Sequence, residues 1–481
     1  MSRQPYDLAI VGGDVVDGTG GPRRRADVAV AGGCIAAVGD AAAWEAAERV
    51  DAAGLVVAPG FIDVHTHDDR AVLDAPDHAP KVSQGVATVI VGNCGIGLAP
   101  LDLAGQPPPP LNILGGPDRF RFPTFESYLA ALEDAPAAVN VGVLAGHSSL
   151  RVAAMDDLDA AATPGETDAM ARLLEAALDA GCLGMSVGLD YPTAAAAPTA
   201  EVTALAAVVG SRGGLLTAHI RNEGDRVMAA VEEMLDIGAA SGAEVVFSHH
   251  KCCGRRNWGR SRETLGRIAA ARRDRPVALD VYPYTASSTI LRGEHIADCE
   301  RVMITWSTPH PEAAGRDLDA IAASWNCAVD EAVERLQPAG AIYFHMDEAD
   351  LERILAFPEA MIGSDGLPHD ALPHPRLWGT FPRVLGRYCR ERGVLALEEA
   401  VHRMTGVPAR VFGLADRGTV TEGGFADLVL FDPETVADRS EYGAPPTPAD
   451  GIHGVWVNGA RVWDGGAPTG RRGGRLLRRA A

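Results

Sequence analysis

Short apolar segments recur along residues 61–364 of this 481-residue chain, and their composition limits the folds that the chain can form. In segments such as Val86–Val91 nearly every residue is apolar, whereas a strand with one face in water alternates apolar and polar residues. Continuous apolar runs are typical of parallel strands covered on both faces by helices. The eight predicted strands are Phe61–His67, Val86–Gly92, Asn140–Ala145, Leu183–Val187, Leu215–Ile220, Glu244–His249, Val277–Tyr282 and Ala360–Ser364.

Helix signals lie between these segments. Thr163-Pro164-Gly165-Glu166 combines an N-cap threonine, a proline at the first helical position and a glutamate placed for a capping box. Met170 and Leu174 follow at helical spacing, and Gly181 ends the helix. Alternating strands and helices predict an α/β fold, namely a TIM-like (β/α)8 barrel over residues 58–412. The long connection before strand eight, about residues 289–344, predicts an inserted subdomain.

Both ends of the chain, residues 1–57 and 413–481, contain short β-prone segments separated by glycine turns. The predicted features are two strands within Tyr6–Gly20, a hairpin at Gly32-Gly33 and a hairpin at Asn458-Gly459. We predict that the two ends pack together as one small β-domain. The arginine- and glycine-rich tail from Gly470 is predicted to be flexible and solvated.

Composition excludes several classes of partner. The chain carries 64 acidic and 43 basic residues, a net charge of −21, which argues against nucleic acid as a partner. No apolar run approaches the roughly 18 residues that a membrane span needs. The start of the chain does not resemble a signal peptide, and its eight scattered cysteines do not resemble a disulfide framework. These features predict a cytoplasmic protein with free thiols that acts on a small molecule, and they leave the oligomeric state open.

Side chains that commonly bind metals occur where the predicted strands end. They are His65 and His67 after strand one, Cys94 after strand two, His219 after strand five, His249 and His250 after strand six, and Asp365 after strand eight. Active sites of such barrels lie at the carboxyl ends of the strands, and alternate strand residues point the same way. Each residue alone has a structural alternative, such as a hydrogen-bonded histidine or a core cysteine. Together they predict a zinc site at one end of the barrel.

This succession of histidines and an aspartate resembles the amidohydrolase superfamily, many of whose members bridge two metals with a carboxylated lysine. The two lysines of this chain, Lys81 and Lys251, fall outside the predicted strands, whereas Cys94 stands at a strand end. A thiolate is anionic and can replace the carboxylate. That substitution narrows the resemblance to the N-acyl-D-amino-acid deacylases (D-aminoacylases), over nearly the whole chain. The matching segments are Pro59–Asp69, Gly92–Gly95, His219–Glu223, Ser248–Lys251 and Ser364–His369.

The resemblance implies how these residues share the metal ions. One zinc would be bound tightly by Cys94, His219 and His249. A weaker second metal site would use His65 and His67, with Cys94 as the bridge and Asp365 nearby. His250 is expected to point away, because adjacent strand residues alternate in direction.

Further roles follow from the resemblance and from side-chain chemistry. Asp365 is expected to act as a general base towards water and then to protonate the leaving amine, with a purely metal-binding role as the alternative. The family's substrate-binding positions correspond to Lys251, Tyr282, Ser288 and Arg376, which would hold the α-carboxylate of the substrate. Arg292, in the insertion, is interpreted as a surface residue, with contact to an acidic substrate side chain as the alternative.

The predicted activity is zinc-dependent hydrolysis of N-acyl-D-amino acids to a D-amino acid and a carboxylate. The preference for the D configuration comes from the resemblance alone. The first alternative is another amidohydrolase that opens cyclic ureides or imides, against which the missing bridging lysine argues. The second is a non-catalytic scaffold, which would be expected to have lost metal ligands, and here none is lost.

Overall fold

A computed structural model describes residues 6–478 and shows one sheet built from both ends of the chain. Its strands are Tyr6–Val15, Arg24–Ala31, Cys34–Gly39, Ala46–Asp51, Val56–Pro59, Leu428–Phe431, Ile452–Val457 and Ala460–Trp463. Val56–Pro59 pairs antiparallel with Leu428–Phe431, so the two ends meet inside the sheet. Both predicted hairpins are confirmed. The two strands predicted within Tyr6–Gly20 are one strand, because its pairing shifts register between Ile10 and Gly13 without ending.

Eight parallel strands in the described part of the chain form the centre of the molecule. They are β1 (Phe61–Asp63), β2 (Val86–Val91), β3 (Asn140–Val143, continued by Ala145–Gly146), β4 (Gly184–Gly188), β5 (Leu215–His219), β6 (Glu244–Phe247), β7 (Val277–Val281) and β8 (Met361–Ile362). They pair in this order, and a parallel bridge between Thr66 and Gly366 joins the chain after β1 to the chain after β8. This is the order of a TIM barrel, and it brings all the carboxyl ends to one rim.

Helices cover the outside of these strands. The longer ones are Phe125–Asp134, His147–Ala154, Pro164–Asp179, Thr199–Ser211, Val227–Ser241, Ser261–Ala271, Glu348–Leu355, Arg376–Arg383, the π-helix Val384–Glu391 and Leu397–Met404. The predicted capping box is confirmed, since Thr163 Oγ1 accepts from the Glu166 amide and Glu166 Oε2 accepts from the Thr163 amide. Among residues 6–478, no helix has the length and apolar character needed to cross a membrane.

The connection between β7 and β8 has a core of its own. Strands Ala286–Ile290, Arg301–Ser307 and Ala339–Phe344 form an antiparallel sheet. Helices Leu318–Trp325 and Val329–Leu336 bury apolar side chains in the same cluster as this sheet. The first strand begins three residues before the predicted start at 289, because the chain turns back into antiparallel pairing soon after β7.

The tail that was predicted to be flexible and solvated is instead paired with the barrel. Leu476 and Leu477 form a parallel ladder with Val141 and Gly142 of β3, on the edge that faces away from β2. Arg478 Nη1 donates to the Ala180 carbonyl oxygen at 2.9 Å. Arginine and glycine dominate the composition of the tail, but its two leucines supply the apolar contact. Residues 479–481 lie outside the described part of the chain.

Candidate metal centre and active site

The predicted ligands lie at the carboxyl ends of the strands, most of them just past the last paired residue. His219 ends β5, as predicted. However, β1 ends at Asp63, two residues before His65, and β6 ends two residues before His249. The prediction that His65 and His67 belong to the strand is therefore wrong. Strand alternation does not set the direction of their side chains, which lie in irregular chain at the rim.

Three of the predicted site residues have left-handed backbone conformations. The φ angles of Cys94, His249 and Asp365 are +55°, +36° and +50°. Residues other than glycine rarely adopt such angles, which cost about 1–3 kcal/mol each and cluster at functional sites. In each case the chain turns sharply after its strand, and the turn directs the side chain over the rim. The apolar pattern of the sequence carries no signal for these turns.

The side-chain atoms that could bind a metal converge around the sulfur of Cys94. Its Sγ lies 3.2 Å from His65 Nε2 and 3.4 Å from His249 Nε2. Ligand atoms of His65, Cys94, His249 and Asp365 all lie within 4.8 Å of one another. The ring of His219 is next to them, with its centroid 4.6 Å from that of His249. Cys94 is buried and, like the other seven cysteines, is not part of a disulfide.

His67 and His250 follow His65 and His249 closely in the sequence, but neither belongs to this cluster. The Nε2 atom of His67 is 3.2 Å from Asp365 Oδ1, at the edge of the cluster. His250 Nε2 is instead 2.8 Å from Thr264 Oγ1, on the far side of β6. His67 therefore contacts the cluster through Asp365, whereas the side chain of His250 contacts Thr264 and points away from the cluster.

Two carboxylates that the sequence analysis did not assign orient the histidine rings. Asp280 Oδ1 accepts from the His249 amide at 2.8 Å, and its Oδ2 lies 3.4 Å from His65 Nδ1. Glu223 Oε1 lies 3.1 Å from His249 Nδ1. Partners on Nδ1 fix the rings so that both Nε2 atoms face Cys94. Asp280 could have been found, because it is the charged residue of the otherwise apolar strand Val277–Val281.

A buried lysine links the end of β1 to the chain that follows β8. Lys81 has no solvent-exposed surface, and its Nζ lies 2.7 Å from Asp63 Oδ2 and 2.6 Å from Ser364 Oγ. The Ser364 amide also donates to Asp63 Oδ1 at 2.8 Å. This network fixes the residue immediately before Asp365. Lys81 is therefore engaged in an ion pair beneath the rim and is not among the residues that converge on Cys94.

Asp365 connects the metal-binding cluster to Arg376. Its Oδ2 lies 2.9 Å from Arg376 Nη1, and Arg376 Nη2 donates to the Ser288 carbonyl oxygen at 2.8 Å. The guanidinium carbon is 4.7 Å from the centre of the Tyr282 ring. Burial would raise the pKa of Asp365, but the charges of Arg376, His249 and His65 hold this pKa well below its usual range. Asp365 is therefore a carboxylate at neutral pH and can accept a proton.

A cavity of about 240 Å³ opens beside this cluster. His219, His249 and Asp365 line it, together with Lys251 and Ser288 of the predicted substrate-binding residues. Tyr282 and Arg376 are not in the lining and lie behind it. Within the described chain, Ser288 Oγ and Arg376 Nε are buried without a hydrogen-bond partner, and of the two residues only Ser288 lines the cavity.

The electrostatics and the donor atoms of the cluster fit zinc. Burial would lower the pKa of His67, yet Asp365 and the Cys94 thiolate raise it to about 9, and the pKa of His65 is also raised against burial. Burial would raise the pKa of Cys94, but His65 and His249 lower it far below its usual value. The cluster thus attracts positive charge, which a divalent cation can supply in place of protons. Sulfur and imidazole nitrogen are preferred zinc ligands.

Comparison with known proteins identifies the family. A model of the amidohydrolase family matches residues 48–282 and 314–463. A D-aminoacylase from Alcaligenes xylosoxydans xylosoxydans is 53% identical over 478 residues, which cover 99% of each chain. Two further relatives from that organism are an N-acyl-D-glutamate deacylase, 51% identical over 100% of this chain and 98% of its own, and an N-acyl-D-aspartate deacylase, 50% identical over 98% and 95%.

Solved structures agree with this assignment. The N-acyl-D-glutamate deacylase of Bordetella bronchiseptica, complexed with zinc and a phosphonate mimic of the tetrahedral intermediate, is 52% identical and matches with a TM-score of 0.96 over 99% of this chain and 100% of its own. A D-hydantoinase from Thermus sp. has a TM-score of 0.61 over 98% and 99% of the chains, but at 16% identity it shows the fold alone. This chain belongs to the amidohydrolase family and, within it, to the N-acyl-D-amino-acid deacylases.

Proposed function

We propose that this protein hydrolyses N-acyl-D-amino acids to a D-amino acid and a carboxylate, with zinc as its cofactor. The observation that carries the proposal is the convergence of a thiol, imidazoles and Asp365 beside a cavity that also exposes Lys251 and Ser288. Relatives of about 50% identity over nearly the whole chain are deacylases of D-amino-acid derivatives, which supports the D configuration.

The residues present suit one tightly held zinc and a weaker second metal. Cys94, His219 and His249 would hold the first, and His65, His67 and again Cys94 would hold the second. A solved D-aminoacylase, 52% identical, is described as having a binuclear centre with one-metal activation and second-metal attenuation, which supports two unequal sites. Bound zinc acts as a Lewis acid towards the amide carbonyl and lowers the pKa of water.

Asp365 is the proposed proton carrier. It is ionised at neutral pH, and it lies at the boundary between the metal-binding cluster and the cavity. It would accept a proton from the attacking water and return that proton to the leaving amine nitrogen. His67 and Arg376 contact its two oxygens and keep the carboxylate facing the cavity.

Four residues are proposed to hold the α-carboxylate of the substrate. Lys251 and Ser288 reach the cavity directly, and Arg376 and Tyr282 support it from behind. Lys251 Nζ also contacts Glu223 Oε1 and His249 Nδ1, each at 2.7 Å, so it links the carboxylate subsite to the metal-binding histidines. A free carboxylate on the substrate would satisfy the buried donors that lack partners.

We also propose that the chain divides into a small β-domain, residues 1–57 and 413–481, and a catalytic barrel, residues 58–412, with an insertion over about 289–344. Pairing between the two chain ends supports the first unit. The separate apolar cluster between β7 and β8 supports the insertion. The cavity lies between the barrel rim and this insertion, because residues of both line it.

The test is an assay of purified, zinc-loaded protein. N-acetyl-D- and N-acetyl-L-methionine, phenylalanine and glutamate would be compared with hydantoin, which represents the cyclic substrates of related amidohydrolases. We expect hydrolysis of at least one D-substrate, loss of activity with a chelator and recovery with zinc. Hydrolysis of hydantoin alone, or equal rates on D- and L-substrates, would contradict the proposal.

A further inference from the structure

We propose that this enzyme selects N-acyl-D-amino acids with uncharged side chains and rejects those with carboxylate side chains, because Arg292, an arginine beside the cavity, is already held by Asp190 and Glu294. This assignment rests on the proposed function and specifies its substrate class. The three similar relatives include deacylases of D-glutamate and D-aspartate derivatives, so their names do not decide the question.

The guanidinium of Arg292 has little capacity left for a substrate. Its Nη1 donates to the side chain of Asp190 at 2.6 Å and to the Asp190 carbonyl oxygen at 2.8 Å. Its Nε and Nη2 donate to Glu294 Oε1 at 2.9 and 2.6 Å. These contacts occupy four of the five N–H groups of an arginine. Asp190 and Glu294 both line the cavity, whereas Arg292 does not, so the cavity is bordered by the two carboxylates and not by the guanidinium group.

A second arginine, Arg256, pairs in the same way with two acidic residues of the cavity lining. These residues are Asp225 and Asp298. Arg256 Nη2 lies 2.6 Å from Asp298 Oδ1, and its Nη1 lies 3.3 Å from Asp225 Oδ2. Together these two groups set four carboxylates of the cavity lining against two guanidinium groups, an excess of negative charge.

In the described chain, the other basic side chains around the cavity have a different role or a different partner. His295, which also lines the cavity, has its Nε2 3.4 Å from Asp190 Oδ2. Lys251 contacts Glu223, and Arg376 contacts Asp365, and both are assigned to the α-carboxylate of the substrate. Burial lowers the pKa of His345, a further cavity residue, to about 3, so its ring is neutral.

The carboxylates that hold Arg292 are themselves ionised at neutral pH. Burial would raise the pKa of Asp190, but His295 and Arg292 lower it, and Arg292 similarly lowers the pKa of Glu294 against burial. A second carboxylate in the substrate would therefore meet like charges, with no cation among residues 6–478 assigned to it, whereas an uncharged amide of the same shape would not meet this repulsion.

The experiment compares kcat/KM for N-acetyl-D-glutamine and N-acetyl-D-glutamate, which have nearly the same shape and differ in charge. We expect the wild-type protein to prefer the glutamine derivative by at least about tenfold. Glu294→Gln removes one negative charge from an exposed side chain and leaves Arg292 with a weaker, neutral acceptor, so the preference should fall by at least about threefold. Asp190→Asn should act in the same direction.

Glu331→Gln is the matched control. It also removes one negative charge from the insertion, but Glu331 pairs with Arg335 on a surface helix and does not line the cavity. We expect this variant to keep the wild-type preference. Equal kcat/KM values on the two substrates in the wild-type protein would overturn the inference, as would an unchanged preference in Glu294→Gln. Absence of activity on every N-acyl-D-amino acid would instead contradict the proposed function.

Discussion

Arg376 offers the sharpest test of how the substrate is held. Its side chain is fully buried and lies between Tyr282 and Asp365, with one guanidinium nitrogen still lacking a partner in the described chain. If it binds the α-carboxylate, Arg376→Ala removes one partner of a desolvated charge pair. Such a loss costs about 2–5 kcal/mol, which corresponds to roughly 30-fold to several-thousand-fold in kcat/KM.

The assay compares the variant and the wild-type protein on N-acetyl-D-methionine and on its carboxamide. The amide lacks the negative charge, so the fall in kcat/KM caused by Arg376→Ala should be much smaller on the amide than on the acid. The fall in kcat/KM that remains on the amide reports the loss of the contact between Arg376 and Asp365. The difference between the two losses isolates the interaction with the carboxylate, as in a double-mutant cycle.

Arg383→Ala is the control for general damage to this region. Arg383 ends the helix that Arg376 begins, lies 4.6 Å from the ring centre of Tyr284, and has Nη1 2.9 Å from Asp438 Oδ2. It resembles Arg376 in its contacts but is not near the metal-binding cluster. This variant should keep the wild-type ratio between acid and amide. Equal losses on acid and amide in Arg376→Ala would refute carboxylate binding and leave Arg376 as a support for Asp365.

Three further predictions concern the residues beneath and around the cavity. Cys94→Ala should lose most of its bound zinc and most of its activity, because the sulfur is the common neighbour of His65 and His249, two of the proposed zinc ligands; retention of zinc in elemental analysis would show that the thiolate is not a ligand. Asp365→Asn cannot accept a proton, so kcat should fall by at least about 10²-fold while zinc content stays nearly intact; parallel loss of both would indicate a ligand role. Lys81→Met leaves the buried Asp63 carboxylate without its cationic partner and should lower the free energy of unfolding, measured in urea, by about 3–5 kcal/mol. The double variant Lys81→Met/Asp63→Asn should recover part of that free energy. An unchanged urea midpoint in the single variant would contradict the role of this ion pair.

The apolar pattern was sufficient to locate the central strands, because a parallel strand buried on both faces leaves a continuous apolar run. The predicted ends of β1 and β6 were too late, because the paired strands end at Asp63 and Phe247, each two residues before the histidine that was included. The left-handed conformation of Cys94 and Asp365 depends on long-range packing at the rim, and no local signal in the sequence reports it.

Contacts between distant side chains were also beyond the reach of the sequence. Arg292 was interpreted as a surface residue, yet its position depends on Asp190, a residue of the barrel rim about a hundred positions away. Asp280 is an exception, because a buried charge within an apolar strand needs a partner and is therefore a signal in the sequence, but its partners His65 and His249 are set by the fold. The tail from Gly470 was predicted to be flexible from its arginine and glycine content, whereas its pairing with β3 depends on Leu476 and Leu477.

The pairing of residues 476–477 with β3 bears on the order in which the chain can fold. Arg475 donates to Asn140, so β3 acquires one of its neighbours from a segment synthesised 335 residues later. A nascent chain that has already emerged with all eight barrel strands still has an open edge on β3. Open strand edges are the surfaces through which partly folded chains pair with one another. Expression at low temperature or with slow synthesis would prolong the exposure of that edge, and a deletion of Leu476 and Leu477 would make it permanent.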